Sequence, residues 1–242
     1  MPAMHRIATA LALALAAGLC AAAEFSVTPI RLDMAPGARS ATVTVVNDDE
    51  LPLRLQLKLV EWTQDAEGRD VYTESDDLVY YPKLTSVAAK DRRIVRIGLK
   101  TPAGAAERTY RLLLDQLPDA IRPTASGLNF TVRFALPIFL PAAEPRLRGA
   151  IQSIALEDGK LRVAVANTGN QNFRITSVSA HAATGFTAEA AGWYLLPGVQ
   201  RVHTMEIPAE ACRSLRRLDV TVTTDKLSLE GGLDVEPRMC GR

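Results

Sequence analysis

The sequence predicts an all-β protein of two sandwich domains in tandem behind a cleaved leader. Three observations carry that prediction. Apolar residues recur at every second position in run after run, turn-forming clusters separate the runs about every ten residues, and an apolar segment opens the chain.

The leader comes first. Residues 1–6 carry one Arg and no acid, Ile7 to Cys20 is apolar almost throughout, and Ala21, Ala22 and Ala23 stand before Glu24. The apolar run is shorter than the ~20 residues of a membrane helix, so residues 1–23 read as a signal peptide cut after Ala23. Cys20 raises a lipid anchor as the alternative, but Leu19 stands where such sites take a small residue. No later segment reads as a membrane span, so the mature chain is not expected to insert. A formal net charge of +1 gives no basic excess for nucleic acid, which is not an expected partner.

In the mature chain, Leu53, Leu55, Leu57 and Leu59 alternate with Arg54, Gln56 and Lys58, a strand with one core face. Ala41, Val43 and Val45 repeat the pattern, as do Val95, Ile97 and Leu99. Strands are expected at about 25–32, 40–47, 52–62, 78–82, 92–99, 108–116 and 128–140. Between them lie Ala35-Pro36-Gly37, Asn47-Asp48-Asp49, Asp65 to Gly68, 101–104 and 122–127. Seven such strands make one immunoglobulin-like sandwich, assigned to 24–141. Leu140 to Pro145 reads as a linker. Strand-like runs then resume at 150–155, 160–166, 173–181, 202–207 and 218–223, assigned to a smaller β-sandwich domain over 142–242. The only hint of a repeat between halves is the strand rhythm and the Asn47 and Asn167 turns. Glu230-Gly231-Gly232 reads as a turn.

Catalytic patterns are missing from the sequence. His181 and His203 have no zinc spacing, no Ser sits in a Gly-x-Ser-x-Gly elbow, and no Gly-rich phosphate loop precedes a helix. Asp76-Asp77 falls short of the six to eight oxygens calcium takes and reads as a solvated strand start. No enzyme activity, metal or cofactor is expected. After cleavage Cys212 and Cys240 remain, an even pair in an exported chain, which points to a disulfide; two buried thiols are the alternative, because sequence separation does not set their distance.

The seventh strand carries the functional expectation. Leu128, Phe130, Val132 and Phe134 alternate with Asn129, Thr131 and Arg133, and Leu136, Ile138 and Leu140 follow. Any core strand alternates in this way. At a sheet edge, however, the same side chains and unpaired backbone groups can complete another chain's sheet.

In order along the first domain, Phe25-Ser26-Val27-Thr28-Pro29-Ile30-Arg31-Leu32, Ala41 to Asn47, Asp77 to Pro82, Arg92-Arg93-Ile94-Val95-Arg96-Ile97-Gly98-Leu99 and Tyr110 to Leu114 ending in Leu117-Pro118 resemble the PapD-like periplasmic pilus chaperones. The segment Phe134 to Pro141 is similar to the archaic, or σ-type, branch. The resemblance implies a periplasmic chaperone that holds pilus subunits by donor-strand complementation and delivers them to an outer-membrane usher, with self-association open when free. It implies Leu128, Phe130, Val132 and Phe134 as donor side chains and Arg31 as one of two basic residues holding the subunit's C-terminal carboxylate. The family's usual Lys is absent, and Arg133 is the nearest basic replacement. Glu107 matches the acidic member of an interdomain ion network whose basic member is replaced by Leu140. Asp225 is either its second-domain member or a plain loop carboxylate. The rival reading is an exported immunoglobulin-like adhesion or ligand-binding module acting through its loops.

Overall fold

A computed structural model describes residues 25–100, 104–118 and 131–240. The first half forms β1 (Phe25–Thr28), β2 (Leu32–Asp33), β3 (Ser40–Asn47), β4 (Leu53–Gln64), β5 (Asp70–Glu74), β6 (Leu78–Tyr81), β7 (Leu84–Val87), β8 (Arg92–Leu99), β9 (Arg108–Gln116) and β10 (Arg133–Leu140). One sheet has the order β1-β3-β8-β6 and the other β2-β10-β9-β4-β5, with β7 also on β4. The alternating side chains read from the sequence close the sandwich. Val43, Val45, Val95 and Ile97 from one sheet meet Leu55, Leu57, Leu59, Leu112, Leu114, Leu136 and Ile138 from the other.

The second half forms β11 (Gly149–Glu157), β12 (Lys160–Asn167), β13 (Phe173–His181), β14 (Thr187–Ala191), β15 (Tyr194–Leu195), β16 (Gln200–Glu206), helix α1 (Ala209–Ser214), β17 (Arg217–Thr224) and β18 (Ser228–Asp234). Its sheets are β11-β12-β16 and β14-β13-β17-β18, with β15 also on β13. They share no strand with the first half. The chain thus has the two-domain immunoglobulin-like architecture. Cys212 on α1 and Cys240 are disulfide-bonded with Cα atoms 5.6 Å apart, closing a loop that the chain-entropy model values at roughly 3–4 kcal/mol. No helix among the described residues is long and apolar enough to cross a membrane.

Both halves turn the same corner with the same residue. Asn47 Nδ2 donates to the carbonyls of Leu51, Val87 and Ala88, and its Oδ1 accepts from Asp49 N. Asn167 Nδ2 donates to Gln171 and Leu195, and its Oδ1 accepts from Gly169 N. An amide carries both donors and acceptors, so one buried side chain can satisfy several loop carbonyls at once.

Three local readings change. Residues 230–232 lie inside β18; a Cβ on Gly231 would come 2.9 Å from Ile154 Cδ1, and one on Gly232 would come 2.4 Å from Arg217 Nη2. These glycines therefore serve close packing along a strand. Asp77 is no solvated strand start, since it accepts from Tyr110 Oη at 2.7 Å and from Arg108 Nη1 at 3.2 Å. The first domain also holds more than seven strands, because short β2, β5 and β7 lack a run long enough to show a period.

Candidate functional site

β10 begins at Arg133 and not near 128; Thr131 and Val132 precede it outside any strand. Leu128 and Phe130 lie outside the described residues. On one side β10 pairs antiparallel with β9 along all eight residues, Arg133↔Asp115 through Leu140↔Arg108. Val132 extends this side, accepting from Gln116 N and donating to its Oε1. On the other side β2 pairs with Ile138 and Phe139 only. From Arg133 to Pro137 that edge therefore has no neighbour among the described residues. Pro137 fits such a place, because proline lacks a ladder N–H and is confined to strand edges.

Along the open stretch the even-numbered side chains change character. Leu136, Ile138 and Leu140 are buried in the first-domain core; Phe134 is half-buried, 5.6 Å from the Phe25 ring; Val132 is 37% exposed. The apolar stripe thus emerges from its own sandwich towards the start of the strand.

The foot of β10 meets the second domain. Phe139 and Trp62 from the first domain pack with Tyr194 and Leu196 from the second, with Trp62 and Tyr194 edge-to-face at 5.4 Å. Gln64 Nε2 donates to Tyr194 O and its Oε1 accepts from Leu196 N. Trp193 Nε1 donates to Asp70 Oδ2. Gly68, at φ +77°, brings its turn so close that a Cβ would stand 3.1 Å from Gln200 O and Arg201 Cβ. At the linker, Asn170 Nδ2 binds the carbonyls of Ala105 and Glu144.

Arg31 lies in this cleft. Its Nε and Nη2 grip both oxygens of Asp33 at 2.7 and 2.8 Å, its Nη1 donates to Asp225 Oδ2 at 3.2 Å, and its guanidinium covers Phe139 at 4.4 Å. Burial alone would lower its pKa; the hydrogen bond and charge of Asp33, helped by Asp225, outweigh that and raise it. Glu107 Oε1 accepts from Asn172 N and Nδ2 at 3.2 and 2.5 Å, so it does reach the second domain. Desolvation pushes its pKa up against those hydrogen bonds. Asp225 is more than a loop carboxylate, since it also accepts from Arg174 N at 2.7 Å.

The structure does not bring Arg133 to Arg31. Arg133 is exposed, paired with Asp115 and five residues up the strand from Ile138, the partner of Leu32, or about 16 Å at strand rise. A second cation was missed. Arg111, opposite Pro137 on β9, is only 4% exposed and stacks on Trp62 at 3.8 Å. Its Nη1 donates to Ala135 O at 3.1 Å, while Nε and Nη2 are buried with no hydrogen-bond partner among the described residues. Such an orphaned donor costs about 1–3 kcal/mol, more when charged. Desolvation lowers its pKa, with Tyr72 and then Asp70 opposing. A single Arg in an otherwise apolar "TYRLLL" run was the available signal.

Residues 24–143 match the family model described as pili and flagellar-assembly chaperone, PapD N-terminal domain. No curated protein matches the sequence. Among solved structures, the chain is similar to one from the CsuC–CsuE chaperone–tip adhesion subunit pre-assembly complex of archaic Csu pili of Acinetobacter baumannii, at 17% identity and TM-score 0.63, covering 86% of this chain and 98% of that one. A chain of the Salmonella enterica SafA pilin–SafB chaperone complex gives 17%, 0.56, 89% and 99%. The class 5 fimbriae chaperone CfaA gives 14%, 0.57, 88% and 100%. With its N-terminal domain matched to that family and its two sandwiches superposing on theirs, the chain belongs to the PapD-like pilus chaperones.

Proposed function

We propose that the mature chain is a periplasmic chaperone that stabilises incomplete pilus subunits by lending them the open edge of β10 and its apolar approach, and then passes them to an outer-membrane usher. One observation carries this reading: among the described residues, β10 has a partner along one whole side and along only two residues of the other. A subunit lacking a strand exposes an apolar groove and unpaired backbone, both of which drive aggregation. Backbone pairing with β10 would satisfy the second, and Leu128, Phe130, Val132 and Phe134 at alternate positions would fill the first. No bond is made or broken, so the reading needs no catalytic group.

The subunit's C-terminal carboxylate is assigned to the cleft arginines: Arg31, as the resemblance implies, whose side chain is 23% exposed, together with Arg111, whose buried Nε and Nη2 have no hydrogen-bond partner among the described residues. A carboxylate is the acceptor best suited to a guanidinium fork.

The test is co-expression in the periplasm with a small secreted subunit encoded beside the chaperone gene. Val132→Asp and Phe130→Asp are expected to leave circular dichroism and thermal unfolding unchanged while the subunit no longer co-purifies. Variants that stay folded and still hold the subunit would favour the loop-binding module and defeat this reading.

A further inference from the structure

We infer that the last two residues of β9, Asp115 and Gln116, form a side-chain clamp that holds the head of β10 extended before any partner arrives. The clamp itself stands on hydrogen bonds within this chain. Its use in subunit capture rests on the proposed function, because a strand lent to a subunit is best lent already in shape.

The backbone of β9 runs out at this point. Gln116 N donates to Val132 O at 3.0 Å, and the next residue turns away to β4, Leu117 N donating to Arg54 O at 2.9 Å. The answering bond from Val132 N goes to the Gln116 side chain, 3.2 Å from Oε1. An amide side chain thus supplies an acceptor that an antiparallel ladder normally draws from a backbone carbonyl. One residue on, Arg133 Nε and Nη2 take both oxygens of Asp115, the latter bond at 3.0 Å. A two-pronged arginine–carboxylate pair fixes direction as well as distance.

The clamp leaves free what a partner needs. Side chains alternate across a strand, so the Arg133–Asp115 pair lies on the face opposite Val132 and Phe134, behind the apolar stripe. Gln116 lies on the β9 side, away from the open edge. Fixing backbone costs entropy, and a strand that is already ordered spares that cost on binding. The pair is exposed, with side-chain exposures of 66% for Arg133 and 27% for Asp115, and exposed pairs add little to global stability. The effect of the clamp is therefore local, and Arg133 is a positioning residue.

Hydrogen exchange over residues 131–135 of the free protein reads the head of β10 directly. Gln116→Ala is expected to speed it roughly two- to tenfold, the worth of one neutral hydrogen bond. Asp115→Asn should speed it by up to about fivefold, as for an exposed ion pair. Exchange in β3 and β8 and the denaturation midpoint should not move. Unchanged exchange over 131–135 in both variants overturns the clamp, and so does a change spread over the whole first domain. For capture, parent and variant with different tags share a limiting subunit in one periplasm. Each variant's share should fall by no more than its exchange factor, because only the extended fraction is competent. Swapping the charges, Asp115→Arg with Arg133→Asp, should recover most of the loss. A swap that restores slow exchange but not the share means that Arg133 touches the subunit and overturns its positioning role. Equal shares despite faster exchange overturn the use of the clamp in capture. If not even the parent captures a subunit, the proposed function fails while the exchange measurement still decides the clamp.

Discussion

At its foot, β10 has β2 on its outer edge, Met34 N bonded to Phe139 O, and Phe139 stacked among Trp62, Tyr194 and Arg31. At its head the same strand has β9 on one side and, among the described residues, no neighbour on the other. The even-numbered apolar side chains run on through both ends, but from Leu136 onwards both faces of the strand are buried. What differs is which surface receives the side chains: the chain's own sandwich takes Leu136 and Ile138, while Val132 faces outwards. A strand can therefore be rigidly anchored and yet offered for pairing, provided the two tasks sit at opposite ends.

The sharpest way to break that contrast is at the foot. Ile138 is fully buried, so Ile138→Ala should cost about 2–5 kcal/mol in chemical denaturation, with subunit capture falling only as far as the folded fraction falls. A capture defect in excess of unfolding would mean that the foot too takes part in binding.

Arg111 sits between the two ends. Replacing a buried, incompletely bonded charge by an apolar group of similar length is often neutral or stabilising, so Arg111→Met should barely move the denaturation midpoint. Loss of a charged hydrogen bond of about 1.5–3 kcal/mol should weaken subunit capture by roughly ten- to a hundredfold. Strong destabilisation with unchanged capture would make Arg111 a packing residue of the interface.

The smallest effect concerns the cleft. Glu107 has its folded pKa raised above the ordinary 4.5 by desolvation, so between those values the folded chain holds a proton that the unfolded chain has released. Its contribution to stability is complete below the unfolded value and is lost as pH rises through the folded one. Its share of the slope is at most about 1.4 kcal/mol per pH unit. Glu107→Gln should flatten the stability curve there, measured as the difference from the parent; an unchanged slope would sink the assignment.

Much of this was legible in the chain itself. The period-two runs at 40–47, 92–99 and 108–116 coincide with β3, β8 and β9, because a half-buried sheet must alternate. The apolar positions Phe134, Leu136, Ile138 and Leu140 were legible for the same reason, although the strand proper starts only at Arg133 and Leu128 and Phe130 lie outside the described residues. The cation pairing was not. Arg133 looked suitable by proximity along the chain, yet antiparallel pairing puts it opposite Asp115, and Arg111 becomes interesting only when its burial and two orphaned nitrogens are seen. The Gly231-Gly232 pair reads as a turn until its neighbours Ile154 and Arg217 are placed.

Local chemistry determined which segments become strands, which residues turn the chain, and which strand carries the apolar stripe, since each depends on neighbours a few positions away. Whether β10 has an open edge, whether Arg31 spends its donors on Asp33 and Asp225, and whether Glu107 reaches Asn172 depend on groups up to 194 residues apart. Only tertiary packing brings such groups within hydrogen-bond range, because the energy of a charge or a backbone donor is set by what stands beside it in space and not by its place in the chain.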